Sequence, residues 1–117
     1  HLSEENLREA RSNAQEASKL RPNWGDPYIL IGKAYAASPE SVSSEDFKKK
    51  TVYWAAVDKF QKAKSVDSEV KGEANRLINT YSRHFPAKDE IFFQGFEEGA
   101  SYTVGGWINE RTTVRSK

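Results

Sequence analysis

The side chains in this sequence that could perform catalysis are few and scattered. There are two histidines, His1 and His84, and there is no cysteine to act as a nucleophile or to ligate zinc. His84 follows a predicted helix, where a polar or cationic side chain suits the helix C-terminus. Glu97 and Glu98 are neighbours in sequence and need not converge in space, and the pair Gly105-Gly106 lacks the spacing of a phosphate-binding loop. The residue types therefore predict a protein that is not an enzyme and that uses no cofactor or metal.

The charges of the chain are evenly balanced. There are 18 basic and 17 acidic residues, for a net charge of +1, and this balance gives no general attraction to nucleic-acid phosphates. No apolar stretch reaches the roughly 20 residues that a membrane-spanning helix needs. We therefore predict neither nucleic-acid binding nor membrane insertion. The chain starts at His1 and contains no methionine, so we expect a piece of a longer protein, whose compartment stays open.

Helices are predicted over most of the first 86 residues, because apolar side chains recur there at three- and four-residue steps. The predicted helices cover residues 3–22, 26–36, 45–66 and 68–84, with Ser3 and Asp26 as N-caps and a loop over 37–44. Gly32 lies inside the second helix, where glycine costs about 1 kcal/mol relative to alanine. We expect a neighbouring helix to approach closely at this glycine.

The tail has a different composition. A short helical turn is predicted over 89–93, and the later residues are strand formers that predict a hairpin turning near Asn109-Glu110. An isolated hairpin is barely stable, so this one must pack on the helices, on another chain or on further sequence. We expect five aromatic residues of the tail to be buried against the helices: Phe92, Phe93, Phe96, Tyr102 and Trp107.

Two stretches have the spacing of a known helical repeat. The second helix contains Tyr28-x₂-Ile31-Gly32-x₂-Tyr35, and the third contains Ala56-x₃-Phe60. The chain therefore resembles tetratricopeptide-repeat (TPR) proteins, whose 34-residue unit carries W-x₂-L-G-x₂-Y and then A-x₃-F. The distance between equivalent positions is longer than one 34-residue repeat, since Ala17 and Ala63 are 46 residues apart. We assign the excess to the loop over 37–44 and to an extended start of the third helix.

The resemblance implies a mainly α fold of antiparallel helix pairs, a fragment of an α–α superhelix with a short C-terminal β-hairpin. Residues 1–86 would hold the repeats: 1–22 the second helix of one repeat, 24–66 a complete repeat with an insertion, and 68–85 a capping helix. Residues 87–117 are similar to the C-terminal extension of some bacterial TPR proteins.

The resemblance also implies a binding groove, because first-type helices of TPR proteins line a concave surface that receives a peptide or a partner helix. The corresponding positions here are Asp26, Ile29, Lys33, Asn75, Arg76, Asn79 and Arg83. Ile29 stands where the clamp for C-terminal carboxylates in some TPR domains has a polar residue, so a chaperone tail is not the expected ligand. The alternative is that these polar side chains are only solvated.

Two other functions remain open at this point. The tail could be a structural cap of a longer repeat protein, or its hairpin edge could support self-association into a homo-oligomer. Trp24 and Trp54 raise the possibility of an aromatic surface for carbohydrate, although both are explained more simply as packing residues.

Overall fold

The computed structural model describes residues 3–117, so His1 lies outside the described residues. It confirms a mainly helical chain that ends in a two-stranded antiparallel sheet. The helices are α1 (Glu4–Leu20), α2 (Asp26–Ala36), α3 (Pro39–Val42), α4 (Asp46–Val66), α5 (Lys71–Ser82) and α6 (Lys88–Phe93). A single 3₁₀ turn, Ser68–Val70, precedes α5, and the strands are β1 (Ser101–Val104) and β2 (Glu110–Thr113).

The first two helices begin with different kinds of cap. Ser3 caps α1 as predicted, since its hydroxyl accepts a hydrogen bond from the Asn6 amide at 3.3 Å. The N-cap of α2 is Gly25, one residue before the predicted Asp26, and its conformation leaves Asp26 as the first helical residue. The Gly25 amide instead donates to the carboxylate of Asp67, at 2.9 Å. A side chain after α4 therefore anchors the start of α2.

The four long helices pack in chain order as antiparallel neighbours. The start of α2 meets the end of α4, because a Cβ on Gly25 would lie 3.0 Å from the Ala63 carbonyl oxygen. The start of α4 in turn meets the end of α5, where Tyr53 stacks on Tyr81 with ring centroids 5.8 Å apart. Neighbouring pairs of antiparallel helices are the general arrangement of a helical repeat.

Gly32 is the point of closest approach between α2 and α4. A Cβ built on Gly32 would lie 2.5 Å from Cε1 and 2.8 Å from Cδ1 of Phe60, far inside van der Waals contact. Phe60 is completely buried, and Tyr81 of α5 stacks on its ring at 6.0 Å. The expected close helix contact at Gly32 is confirmed, and Phe60 is the side chain that fills the space.

The segment between α2 and α4, predicted as a loop over 37–44, contains the single turn of α3. Ser38 precedes this turn and is buried, and its hydroxyl donates to the Ala34 carbonyl at 2.7 Å. This hydrogen bond folds the chain back over the end of α2, and α3 then packs against α4. The inserted residues therefore form part of the packed structure.

The hairpin forms as predicted, but its turn lies at a different place. Val104 pairs with Glu110 and Ser101 with Thr113, so the connection is residues 105–109 rather than a tight turn at Asn109-Glu110. Gly106 and Asn109 adopt positive φ angles, +61° and +41°, in this connection. The longer loop places the side chains of Trp107 and Ile108 in the core.

The hairpin packs across α4 through an aromatic and polar contact. Trp54 is completely buried, and its indole Nε1 donates to the Arg115 carbonyl at 2.8 Å. Arg115 returns a hydrogen bond to the Trp54 carbonyl and an ion pair to Asp58 at 2.8 Å. Thr112, on β2, also donates to the Asp58 carboxylate. The sheet is thus held along one side of α4.

The tail aromatics divide into a buried and an exposed group. Trp107 is buried, and Phe96 and Tyr102 are half-buried beside the buried ring of Phe47. Phe92 and Phe93 are 77% and 81% exposed, so the expectation that they would pack on the helices is wrong. The short helix α6 buries Ile91 instead, and this contact turns the two phenylalanines outward.

Candidate functional site

Exposed side chains of α2 and α5 meet at an ion pair between the two helices. Exposed residues recur at helical spacing on each helix, with Asp26, Leu30 and Lys33 on α2 and Glu73, Arg76 and Thr80 on α5. We call these six residues the α2–α5 face. Lys33 connects the two helices, because its Nζ lies 3.4 Å from a carboxylate oxygen of Glu73. An exposed ion pair of this kind adds little stability, so it shows that Lys33 and Glu73 are neighbours but contributes little to holding α2 and α5 together.

The α2–α5 face contains only some of the residues that the sequence placed in a groove. Asp26, Lys33 and Arg76 belong to it, and Asn79 is exposed at its flank. Ile29 is only 5% exposed, and its neighbour Leu30 is 47% exposed, so Leu30 rather than Ile29 is available to a partner. The repeat spacing could not reveal this, since both residues are aliphatic.

The remaining two predicted groove residues lie elsewhere. Asn75 is half-buried, and its side-chain oxygen accepts a hydrogen bond from Lys64 of α4 at 2.8 Å. This bond turns the Asn75 side chain toward α4. Arg83 follows the last residue of α5 and lines a separate pocket at that end of the helix.

That separate pocket, which we call the end pocket, has a volume of about 360 Å³. It lies between the start of α3, the first two turns of α4 and the residues after α5. Tyr53 and the buried Phe85 supply apolar walls, and basic side chains surround them: Lys49, Lys50, Arg83 and Lys117. This pocket has no signal in the sequence, because its residues come from four separate parts of the chain.

Arg11, on α1, attaches the hairpin loop to the first two helices. Its guanidinium donates to the carbonyls of Ile108, at 2.8 Å, and Trp107, at 3.0 Å, and also to the Tyr35 hydroxyl at 3.1 Å. The same group lies over the Trp107 ring, 4.8 Å from its centroid. One arginine of α1 thereby holds α2 and the hairpin loop together.

A short chain of hydrogen bonds continues from Arg11. The Tyr35 hydroxyl donates to the carboxylate of Glu110, whose other oxygen pairs with Lys59 of α4. Burial, followed by the hydrogen bond to Glu110, raises the pKa of Tyr35 well above its usual range. Tyr35 therefore stays neutral in the folded protein, and this network acts as a structural connection.

A shallow apolar groove of about 200 Å³ runs between α1 and α2. Its walls include Ala14, Ala17, Trp24, Pro27 and Leu30. Arg21 lies over the Trp24 ring at 4.6 Å, so one face of this indole is already covered. Trp54 is fully buried and cannot contact a sugar, which removes the second tryptophan of the proposed carbohydrate surface.

Two absences within the described residues bear on other kinds of function. Within residues 3–117, no group of three or more histidine and acidic side chains is arranged to hold a metal ion. None of the helices in that same range has both the length and the apolar character required to cross a bilayer.

No protein family, no characterised protein and no solved structure matches this chain. The site is therefore interpreted from its own geometry, and the resemblance of residues 3–86 to TPR proteins rests on the residue spacing alone.

Proposed function

We propose that this protein is a non-catalytic helical scaffold of the TPR type, which binds a protein or peptide partner along the α2–α5 face. The spacing of Tyr28, Gly32 and Tyr35 supports the repeat assignment, and so does the packing of Gly32 against Phe60. Small residues at helix contacts are what such stacked repeats require.

The position of the hairpin is the observation that most favours this face. Residues of the extension attach to α1 through Arg11 and to α4 through Trp54, Asp58 and Lys59. The exposed side chains of α2 and α5 are not among these contacts. The extension thus occupies one side of the helical stack and leaves the α2–α5 face open to solvent.

The chemistry of the face suits an extended peptide. Lys33, Glu73 and Arg76 offer charges of both signs, and Thr80 adds a hydroxyl that donates and accepts. Leu30, one turn before Lys33 on α2, supplies an exposed apolar side chain that also borders the groove between α1 and α2. An apolar contact with polar side chains around it has the general anatomy of a protein interface.

Selection from a random peptide library on the immobilised protein tests this proposal. Selected peptides should lose at least about tenfold in affinity for a variant that carries Leu30→Glu and Arg76→Glu. Arg111→Glu, on the exposed side of β2, is the matched control and should bind as the parent does. Equal binding to all three proteins, or a selection that yields no peptide, would contradict the proposal.

A second candidate function is that the extension caps the helical stack. Val104, Trp107, Ile108 and Val114 are all buried, and burial of each such side chain is worth about 1.5–3 kcal/mol. Their sum is comparable to the whole stability of a small domain. Truncation after Pro86 should therefore give an unfolded or aggregated protein, and a soluble, cooperatively folded remainder would exclude the cap.

A further inference from the structure

We infer that the end pocket recognises a single carboxylate side chain of the partner, so that the partner is an acidic peptide segment. This inference goes beyond the proposed function, because it concerns a different surface and names the chemistry that the partner presents there. The two can therefore be tested separately.

The basic residues of the end pocket differ in whether they already have a partner. Lys49 pairs with Glu40 at 2.9 Å, and Lys50 pairs with Glu90 at 2.7 Å. Within residues 3–117, no acidic side chain lies within ion-pair distance of Arg83 or Lys117. The hydrogen bond from the Ala87 amide lowers the pKa of the nearby Glu90 carboxyl most, and the charge of Lys117 adds to this effect. That carboxylate is paired with Lys50, however, so both exposed cations of the pocket can bind a further anion.

The structure also fixes where these two cations lie. The amide of Lys117 donates to the Pro86 carbonyl at 3.1 Å, which holds residue 117 beside the segment that follows α5. Arg83 is the C-cap of α5, only three residues earlier. Both side chains therefore extend from one short, anchored stretch of the pocket rim.

The partial charges of the helix ends do not determine whether the ligand is an anion or a cation. The N-terminal end of α4 faces the pocket and favours an anion, whereas the C-terminal end of α5 is close by and disfavours one. These opposed contributions offset each other. The side chains of Arg83 and Lys117 therefore determine the preference.

The residues that line the pocket favour a peptide ligand over a polyanion. Tyr53 and Phe85 present apolar surface, and the His84 ring stacks on Tyr53 with centroids 4.9 Å apart. Glu40 and Asp46 also line the pocket and would repel a continuous row of phosphates. A ligand with one anionic group meets less repulsion from these carboxylates than a row of phosphates does, and an apolar side chain next to that group can contact Tyr53 and Phe85.

The test is a titration followed by amide NMR on the full chain. The probe is an N-acetylated tetrapeptide amide with one carboxylate, Leu-Glu-Phe-Gln, and its matched control is Leu-Gln-Phe-Gln. The acidic peptide should shift the amides of residues 46–50 and 83–85, and the control should not. The double variant Arg83→Gln, Lys117→Gln should weaken binding at least about tenfold, as expected for loss of a charge-assisted hydrogen bond.

Two further variants separate this inference from the proposed function. Lys62→Gln, exposed on α4 away from the pocket, should leave the affinity unchanged. Arg76→Gln changes only the α2–α5 face: if it weakens peptide binding while the double variant does not, the end-pocket inference fails and the proposed function stands. Equal shifts by both peptides, no shift at millimolar peptide, or tighter binding of a short single-stranded DNA would each overturn the inference.

Discussion

Replacing Gly32 by alanine should destabilise this protein, even though alanine is the better helix former. Gly32 lies in the middle of α2, where the exchange alone should gain about 1 kcal/mol. The new Cβ would, however, lie within 2.5–2.9 Å of three ring atoms of Phe60. Phe60 has no exposed surface, so its ring has no free space into which it can move.

The two opposing effects set the expected magnitude. Overpacking of a tight core costs about 1–3 kcal/mol, so Gly32→Ala should lower the free energy of unfolding by up to about 2 kcal/mol net. Gly32→Leu should cost several kcal/mol, because its side chain cannot be accommodated at all. Urea unfolding followed by far-UV circular dichroism measures both values, with the slope of the transition checked for constancy.

Gly72 provides the matched control. It also lies in a helix, α5, but a Cβ there would meet nothing within 4 Å. Gly72→Ala should therefore stabilise the protein by about 0.5–1 kcal/mol. Combining Gly32→Ala with Phe60→Leu should reduce the penalty, with a coupling free energy of about 1 kcal/mol or more. Equal effects of the two glycine substitutions, or no coupling to Phe60, would refute the packing argument.

Three further predictions test other parts of the structure. Arg11→Leu should cost about 2–4 kcal/mol in unfolding free energy, because it breaks the charged hydrogen bonds to the hairpin loop, and Arg11→Lys should cost less, since one bond can persist. Tyr35 has a raised pKa in the folded state, so its contribution to stability is complete below the unfolded pKa of about 10 and is lost as the pH rises above that value. The difference in unfolding free energy between the parent and Tyr35→Phe should therefore be smaller at about pH 11 than at about pH 8, as measured by urea titration. Ile91→Ala should lower the melting temperature, because it costs about 2–4 kcal/mol of unfolding free energy. The double variant Phe92→Ser, Phe93→Ser should leave the melting temperature nearly unchanged. A large effect of the double variant would contradict the outward orientation of these two side chains.

The helices were predictable because their local signals and their buried faces agree. Ser3 at a helix start and Pro27 in a first turn are features that act over a few residues, and the structure uses both. Gly32 was informative for the opposite reason, since a residue that is unfavourable for a helix needs a compensating contact. The contact with Phe60 supplies that compensation.

The remaining features depend on contacts between distant parts of the chain. The cap at Gly25 comes from Asp67, which is 42 residues away, and no local pattern contains that information. The observed hairpin turn differs from the predicted one because Trp107 and Ile108, which are strand-forming residue types, belong to a loop held by Arg11. Long-range hydrogen bonds of this kind override local strand propensity.

The candidate site was predictable only in outline. Spacing identified α2 and α5 as the helices that carry it, but not that Leu30 would be exposed in place of Ile29. That outcome depends on the rotation of α2 against α4, which the Gly32 contact fixes. The end pocket depends on residues from four segments and had no signal in the sequence.

The central claim is that the α2–α5 face binds the partner while the extension holds the other side of the stack. Amide hydrogen exchange with and without a library-selected peptide tests it most directly. The peptide should protect amides of α2 and α5 and leave the exchange of β1 and β2 unchanged. Protection confined to the hairpin and α6, with none on α2 or α5, would contradict it.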